Sequence, residues 1–192
     1  MRARLWSGPA KGNSGFSLIE LLVASSVSIL VLMLVGSLLT NSMRIGRDTR
    51  SVAEATDLGQ LVARTVQSGV RNASKVSLTD TGSTQLLRVR TAGRAETPAW
   101  LCQAWYYTPD AGGSIFMKVT SPAAPISAPT TATLSSWTKL GDGINPSGAK
   151  VFTAVLGLVT LDFTVRAGGS PPIPIKSTAT TRTLETESTP CF

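Results

Sequence analysis

Few side chains in this 192-residue chain can do chemistry. The most conspicuous is Glu20, the only charge in an apolar run from Phe16 to Leu39. A carboxylate there costs free energy unless it is neutralised or meets a cation. Just before the run stands Gly15-Phe16, preceded by a stretch (MRARLWSGPAKGNSG) that holds Arg2, Arg4 and Lys11 and no acid. The chain has no histidine, which removes Ser-His-Asp and Cys-His catalysis and His-ligated metals. Cys102 and Cys191 lie far apart and form no C-x-x-C pair, against a zinc or thioredoxin-like site. No acid pair stands at useful spacing and no glycine-rich phosphate loop follows a strand. No enzyme, metal or cofactor is therefore expected. Trp100, Trp105, Tyr106 and Tyr107 offer faces for stacking a base or a sugar. Aromatics alternating along a strand more often pack a core or sheet face, and that is the expectation here.

These residues need elements to hold them. Residues 16–39 as a helix would be about 36 Å long, enough to span a bilayer. The run exceeds the apolar core of a secretory signal and ends without a small-x-small cleavage site. Val52, Ala55, Gly59, Val62, Val66, Val70 and Ala73 continue at spacings of three and four, one stripe on a helix. One helix from about Phe16 to Ala73 follows, apolar first and then amphipathic. Asn72 and Ser74 mark its end, and Gly36 and Gly46 are candidate bends. Past residue 75 the pattern turns to strands: Leu87–Thr91, Trp100–Tyr107, Ser114–Val119, Val159–Arg166 and Ile173–Thr183. The turn 108–113 closes a hairpin, residues 120–136 form a Ser/Thr/Ala/Pro surface loop, and Pro174 marks an edge strand. The reading is an α+β chain in four parts: 1–15, 16–39, 40–75 and 76–192. Formal net charge is +7. Arg44, Arg47, Arg50, Arg64, Arg71, Arg88, Arg90 and Arg94 carry much of it and are expected on a solvated surface. Weak binding to nucleic acid or another anionic surface is the alternative.

Gly15-Phe16-Ser17-Leu18-Ile19-Glu20, with its basic leader and apolar continuation, resembles the prepilin processing motif of type IV pilin-like proteins. The resemblance implies the pilin fold, a long helix packed on a C-terminal antiparallel sheet. It implies cleavage after Gly15 by a prepilin peptidase at the cytoplasmic membrane face and N-methylation of Phe16. It implies that Glu20 guides assembly by meeting the terminal amine of a neighbouring subunit. Cys102-Gln103-Ala104-Trp105-Tyr106-Tyr107 and the strand that follows are similar to minor pilins of the PilW type and J-type pseudopilins. Ser37 stands where major pilins often carry a helix-kinking proline, which departs from a major subunit.

The expected function is thus a minor pilin of a type IV pilus, acting in initiation, tip formation or assembly. The alternatives are a pseudopilin of a type II secretion or DNA-uptake machine, and a tip-located adhesin or DNA-binding module. Expected partners are other pilin subunits, the prepilin peptidase, the cytoplasmic membrane and the assembly platform. The resemblance also sets the location: single-pass in the cytoplasmic membrane with the C-terminal domain outside, then in a cell-surface filament. An exported domain permits oxidation, so a Cys102–Cys191 disulfide is expected, with free or intermolecularly paired thiols as the alternative.

Overall fold

The computed structural model describes residues 17–93, 99–166, 168–169, 171–182 and 190–192. The fold is α+β, with a long helix at the N-terminal side of antiparallel sheets, a pilin-like architecture. It divides into two compact units, Met1–Gly46 and Arg47–Phe192. Helix α1 (Leu18–Arg71) is continuous through the boundary and through both Gly36 and Gly46. In the first unit every residue from Ser17 to Gly46 is exposed. This stretch is long and apolar enough to cross a membrane.

The second unit begins with the rest of α1. Five strands follow, β1 (Ala73–Asp80), β2 (Gln85–Ala92), β3 (Trp100–Thr108), β4 (Ser114–Thr120) and β5 (Thr138–Asp142), paired in chain order as an antiparallel meander. A second sheet holds β6 (Ile144–Pro146), β7 (Phe152–Val155), β8 (Leu158–Val165) and β9 (Ile173–Thr180). β8 pairs with β6 and β7 along one edge and with β9 along the whole of the other. β9 is thus an edge strand, the place where Pro174 is tolerated.

The helical stripe packs on both sheets. Ala55, Gly59, Val62, Ala63, Val66, Gly69 and Val70 are buried. They meet Leu87, Val89, Trp105, Tyr107 and Ile115 of the meander and Phe152, Val159, Leu161, Phe163 and Val165 of the second sheet. Val52, expected in the stripe, is 40% exposed, because the buried contact begins one turn later at Ala55.

The helix ends earlier than the stripe suggests. Asn72 Nδ2 donates to the Ser68 carbonyl at 2.9 Å, satisfying one of the open carbonyls of the last turn. β1 starts at once, so Ala73, Ser74 and Lys75 are strand residues although they fell in the expected 40–75 helical segment. Ala73 is buried in the core, and its apolar side chain extends the stripe in sequence without continuing the helix. β1, β5, β6 and β7 were not anticipated. β5, β6 and β7 hold three to five residues each, too short for alternation to register.

Residues 120–136 are largely irregular, as expected, but they also cover the sheet. Ile126 is 3% exposed and packs with Trp137, Leu86, Cys102, Ala104 and Cys191 in a second apolar cluster on the outer face of the meander. The meander is therefore sandwiched between α1 and this cover.

Candidate functional site

The residues singled out by the processing motif lie at the start of α1. Gly15 and Phe16 fall outside the described residues. Glu20 is exposed in the first turn, and the Ser17 carbonyl accepts the amides of Glu20 and Leu21 at 3.0 and 3.2 Å. Ser17 and Glu20 thus stand at the N-cap and third helical positions, the spacing of a capping box. The positive end of the helix dipole favours a carboxylate there, which gives Glu20 support of its own before any partner arrives.

Between Leu18 and Met43 Glu20 is the only ionisable residue. Several other polar side chains of this stretch satisfy themselves. Ser25, Ser26, Ser28, Ser37 and Thr40 donate to backbone carbonyls three or four residues earlier, at 2.8–3.1 Å. Such back-bonding lets a hydroxyl enter an apolar environment at low cost. The result is a rod with an aliphatic surface and one carboxylate at its N-terminal end.

In the second unit Cys102 and Cys191 form a disulfide with a Cα–Cα distance of 5.4 Å. It ties Cys191 to the first part of β3. Phe192 then lies near two cations, Lys75 Nζ at 5.8 Å and the Arg88 guanidinium at 5.6 Å from its ring centroid. Arg88 also donates to Thr79 Oγ1 at 3.0 Å.

The four aromatics do not form one platform. Trp105 and Tyr107 are buried toward α1, and burial raises the Tyr107 phenol above its usual pKa. Tyr106 faces the outer cluster, with its ring 6.1 Å from that of Trp137. Trp100 carries the Arg90 guanidinium 4.5 Å from its ring centroid. Arg90 was expected on a solvated surface, yet it is 4% exposed and its Nε donates to Ser74 Oγ at 2.9 Å. Its charge is used inside the fold, through stacking and hydrogen bonding.

Two devices that sequence reasoning missed hold the domain together. Gln85 on β2 is buried, and its Oε1 accepts the amides of Val151 and Phe152 while its Nε2 donates to the Phe152 carbonyl, each at 2.9 Å. One side chain thereby joins the two sheets. Nearby, Lys150 pairs with Asp80, and this bond holds the Asp80 carboxyl below the usual carboxylate range. The second device is close approach at glycine. A Cβ at Gly69 would overlap the Trp105 ring and stand 2.8 Å from Gln103 Oε1. One at Gly59 would stand 2.6 Å from Ile175 Cγ1. Glycines on the apolar stripe of a helix were the available signal for this, since they weaken the helix unless packing requires them. No comparable signal marks Gln85. No protein-family model, no curated protein and no solved structure matches the chain.

Proposed function

We propose that this chain is a minor subunit of a type IV pilus-like filament. In this reading the leader is removed after Gly15, the Phe16 amine is freed and methylated, and α1 leaves the membrane to join a bundle of like helices. One observation carries the reading: a continuous, fully exposed aliphatic helix bears a single carboxylate in its first turn and leads without a break into a sheet-packed domain. A helix with this surface is stable only in lipid or among other apolar helices. Inside either, Glu20 needs a cation, and the new amine of a neighbouring Phe16 supplies one. The pair would select register, because a misplaced subunit leaves a buried charge unpaired.

The test is co-expression with a prepilin peptidase and mass spectrometry of the mature chain. Loss of residues 1–15 and a methylated Phe16 are expected, and Gly15→Val should block both. Glu20→Val should be cleaved and inserted but enter filaments poorly. An unprocessed wild-type chain, or wild-type incorporation of the Glu20 variant, would overturn the proposal. Quantitative proteomics of sheared filaments tests the minor role, which fails if this chain is the most abundant subunit.

A further inference from the structure

The cover on the outer face of the meander has an unusual composition. The twenty residues from Val119 to Thr138 contain no Asp, Glu, Lys or Arg. At the usual surface share of about 25–35% charged residues, a segment of this size would hold roughly five to seven. It holds instead three prolines, four alanines and nine hydroxyl side chains. Ala124, Pro125, Ala128 and Ala132 are all exposed. A Ser/Thr-rich, proline-containing segment is the composition that O-linked glycans occupy.

Some of these hydroxyls hold the cover's own shape. Thr120 Oγ1 donates to the Ala124 carbonyl at 3.0 Å, and Ser136 Oγ to the Thr133 carbonyl at 2.7 Å. The Thr130 amide donates to Thr133 Oγ1 at 2.8 Å and closes a turn. Ser121, Ser127, Thr131, Ser135 and Thr138 are exposed, and their side chains make no hydrogen bond among the described residues. Local structure separates these five. Thr131 lies in the turn, Ser135 in a short 3-10 helix (Leu134–Ser136), Thr138 in β5 and Ser121 in a bend. Ser127 alone lies where the chain is neither helix, strand, turn nor bend. Pro125 and Pro129 bracket it. Each proline fixes its own φ and biases the residue before it toward extended backbone. Ile126, 3% exposed in the outer cluster, pins the chain beside it. The Ser127 hydroxyl is therefore presented on an anchored segment, so an enzyme that takes it loses little binding energy to ordering the chain.

We propose that Ser127 is an O-glycosylation site. Ser127 Oγ attacks the anomeric carbon of a sugar activated as a phosphate ester. The Oγ–carbon bond forms as the bond from that carbon to the phosphate oxygen breaks. The hydroxyl proton passes to a base of the transferase, and the phosphate leaves with the bonding pair. A sugar hydrates an alanine–proline surface that has no charge to do so. A phosphate on Ser127 has no such fit, because the twenty residues supply no cation to pair with it. The bracketing Lys118 and Lys139 are engaged with Ser136 and Asp142. The meander lies between this cover and α1, so a glycan here leaves the helix unobstructed. This inference does not depend on the pilus reading.

The test uses the full chain purified from its native host and cut with trypsin. Lys118 and Lys139 flank the cover, so the single peptide 119–139 contains every candidate hydroxyl. Electron-transfer fragmentation should place the mass of one or more sugar residues on Ser127. Ser127→Ala should cut the glycosylated fraction of this peptide by roughly tenfold or more and leave the melting temperature of the chain unchanged. Ser135→Ala should leave the glycosylated fraction unchanged. An unmodified wild-type peptide overturns the proposal, as does a sugar confined to another hydroxyl or a phosphate on Ser127.

Discussion

Replacing Gln85 by leucine tests whether a single amide holds the two sheets together. Leucine matches glutamine in bulk but can bond neither the Val151 and Phe152 amides nor the Phe152 carbonyl. Val151 and Phe152 are almost fully buried, so water cannot take over. Each orphaned group costs about 1–3 kcal/mol. The three losses sum to about 3–9 kcal/mol; set against a gain of about 1–2 kcal/mol from burying a more apolar side chain, the net loss should be about 1–8 kcal/mol. At about 2–4 °C per kcal/mol the melting temperature should fall by several degrees or more. The assay is thermal unfolding in detergent followed by near-ultraviolet dichroism, which reports on buried Trp105 and Trp137. Gln85→Glu sharpens the test. One carboxylate oxygen can accept both amides, but the other faces the Phe152 carbonyl, so the carboxyl pKa should rise above its unfolded value of about 4.3. The neutral acid donates where Gln85 Nε2 did. The penalty should therefore be full above the raised folded pKa and fade as pH falls toward the unfolded value. A leucine variant within about 0.5 kcal/mol of wild type, or a pH-independent deficit for glutamate, would refute the reasoning.

Gly69→Ala should destabilise by about 1–3 kcal/mol despite alanine's better helix propensity, because the fully buried Trp105 ring cannot yield. Gly46→Ala, with nothing near its Cβ, should be neutral or stabilising, and equal melting shifts for the two would contradict the close-approach account. Asp80 has a lowered pKa, so its pairing with Lys150 stabilises above the ordinary carboxylate value and is lost as pH falls through the lower folded value. The stability gap between wild type and Asp80→Asn should close in acid, and a gap constant with pH would exclude the pair as its cause. Cys191→Ala opens a loop spanning 89 residues and should cost up to roughly 4–5 kcal/mol. Unchanged melting would mean that the strap contributes nothing.

Much of the architecture is written in local pattern. Val159, Leu161, Phe163 and Val165 alternate, and all four are buried on β8. Val62, Val66 and Val70 repeat at helical spacing, and all are fully buried on α1. The apolar run after Glu20 needs no fold to be recognised, because its meaning depends only on length and hydropathy. Cys102 and Cys191 were the only two cysteines, and in a chain expected to be exported their pairing followed from compartment chemistry. The helix and strand patterns are legible because each is a property of neighbours in sequence, and the disulfide because only one pairing of two cysteines exists.

Tertiary structure alone decided the rest. Gln85 lies outside the strand the sequence marks, and only the arrival of Val151 and Phe152 makes it a clamp. Arg90 reads as surface charge until Ser74 and Trp100 enclose it. The 120–136 loop reads as solvent-facing until Ile126 closes over β3. Leu156 carries no mark in the sequence, and the hairpin turns it outward in a left-handed conformation. In each case the deciding energy is a contact between residues distant in sequence, or the orientation of a turn. Hydrophobic periodicity records which face of an element is buried, not what meets it or where the chain reverses.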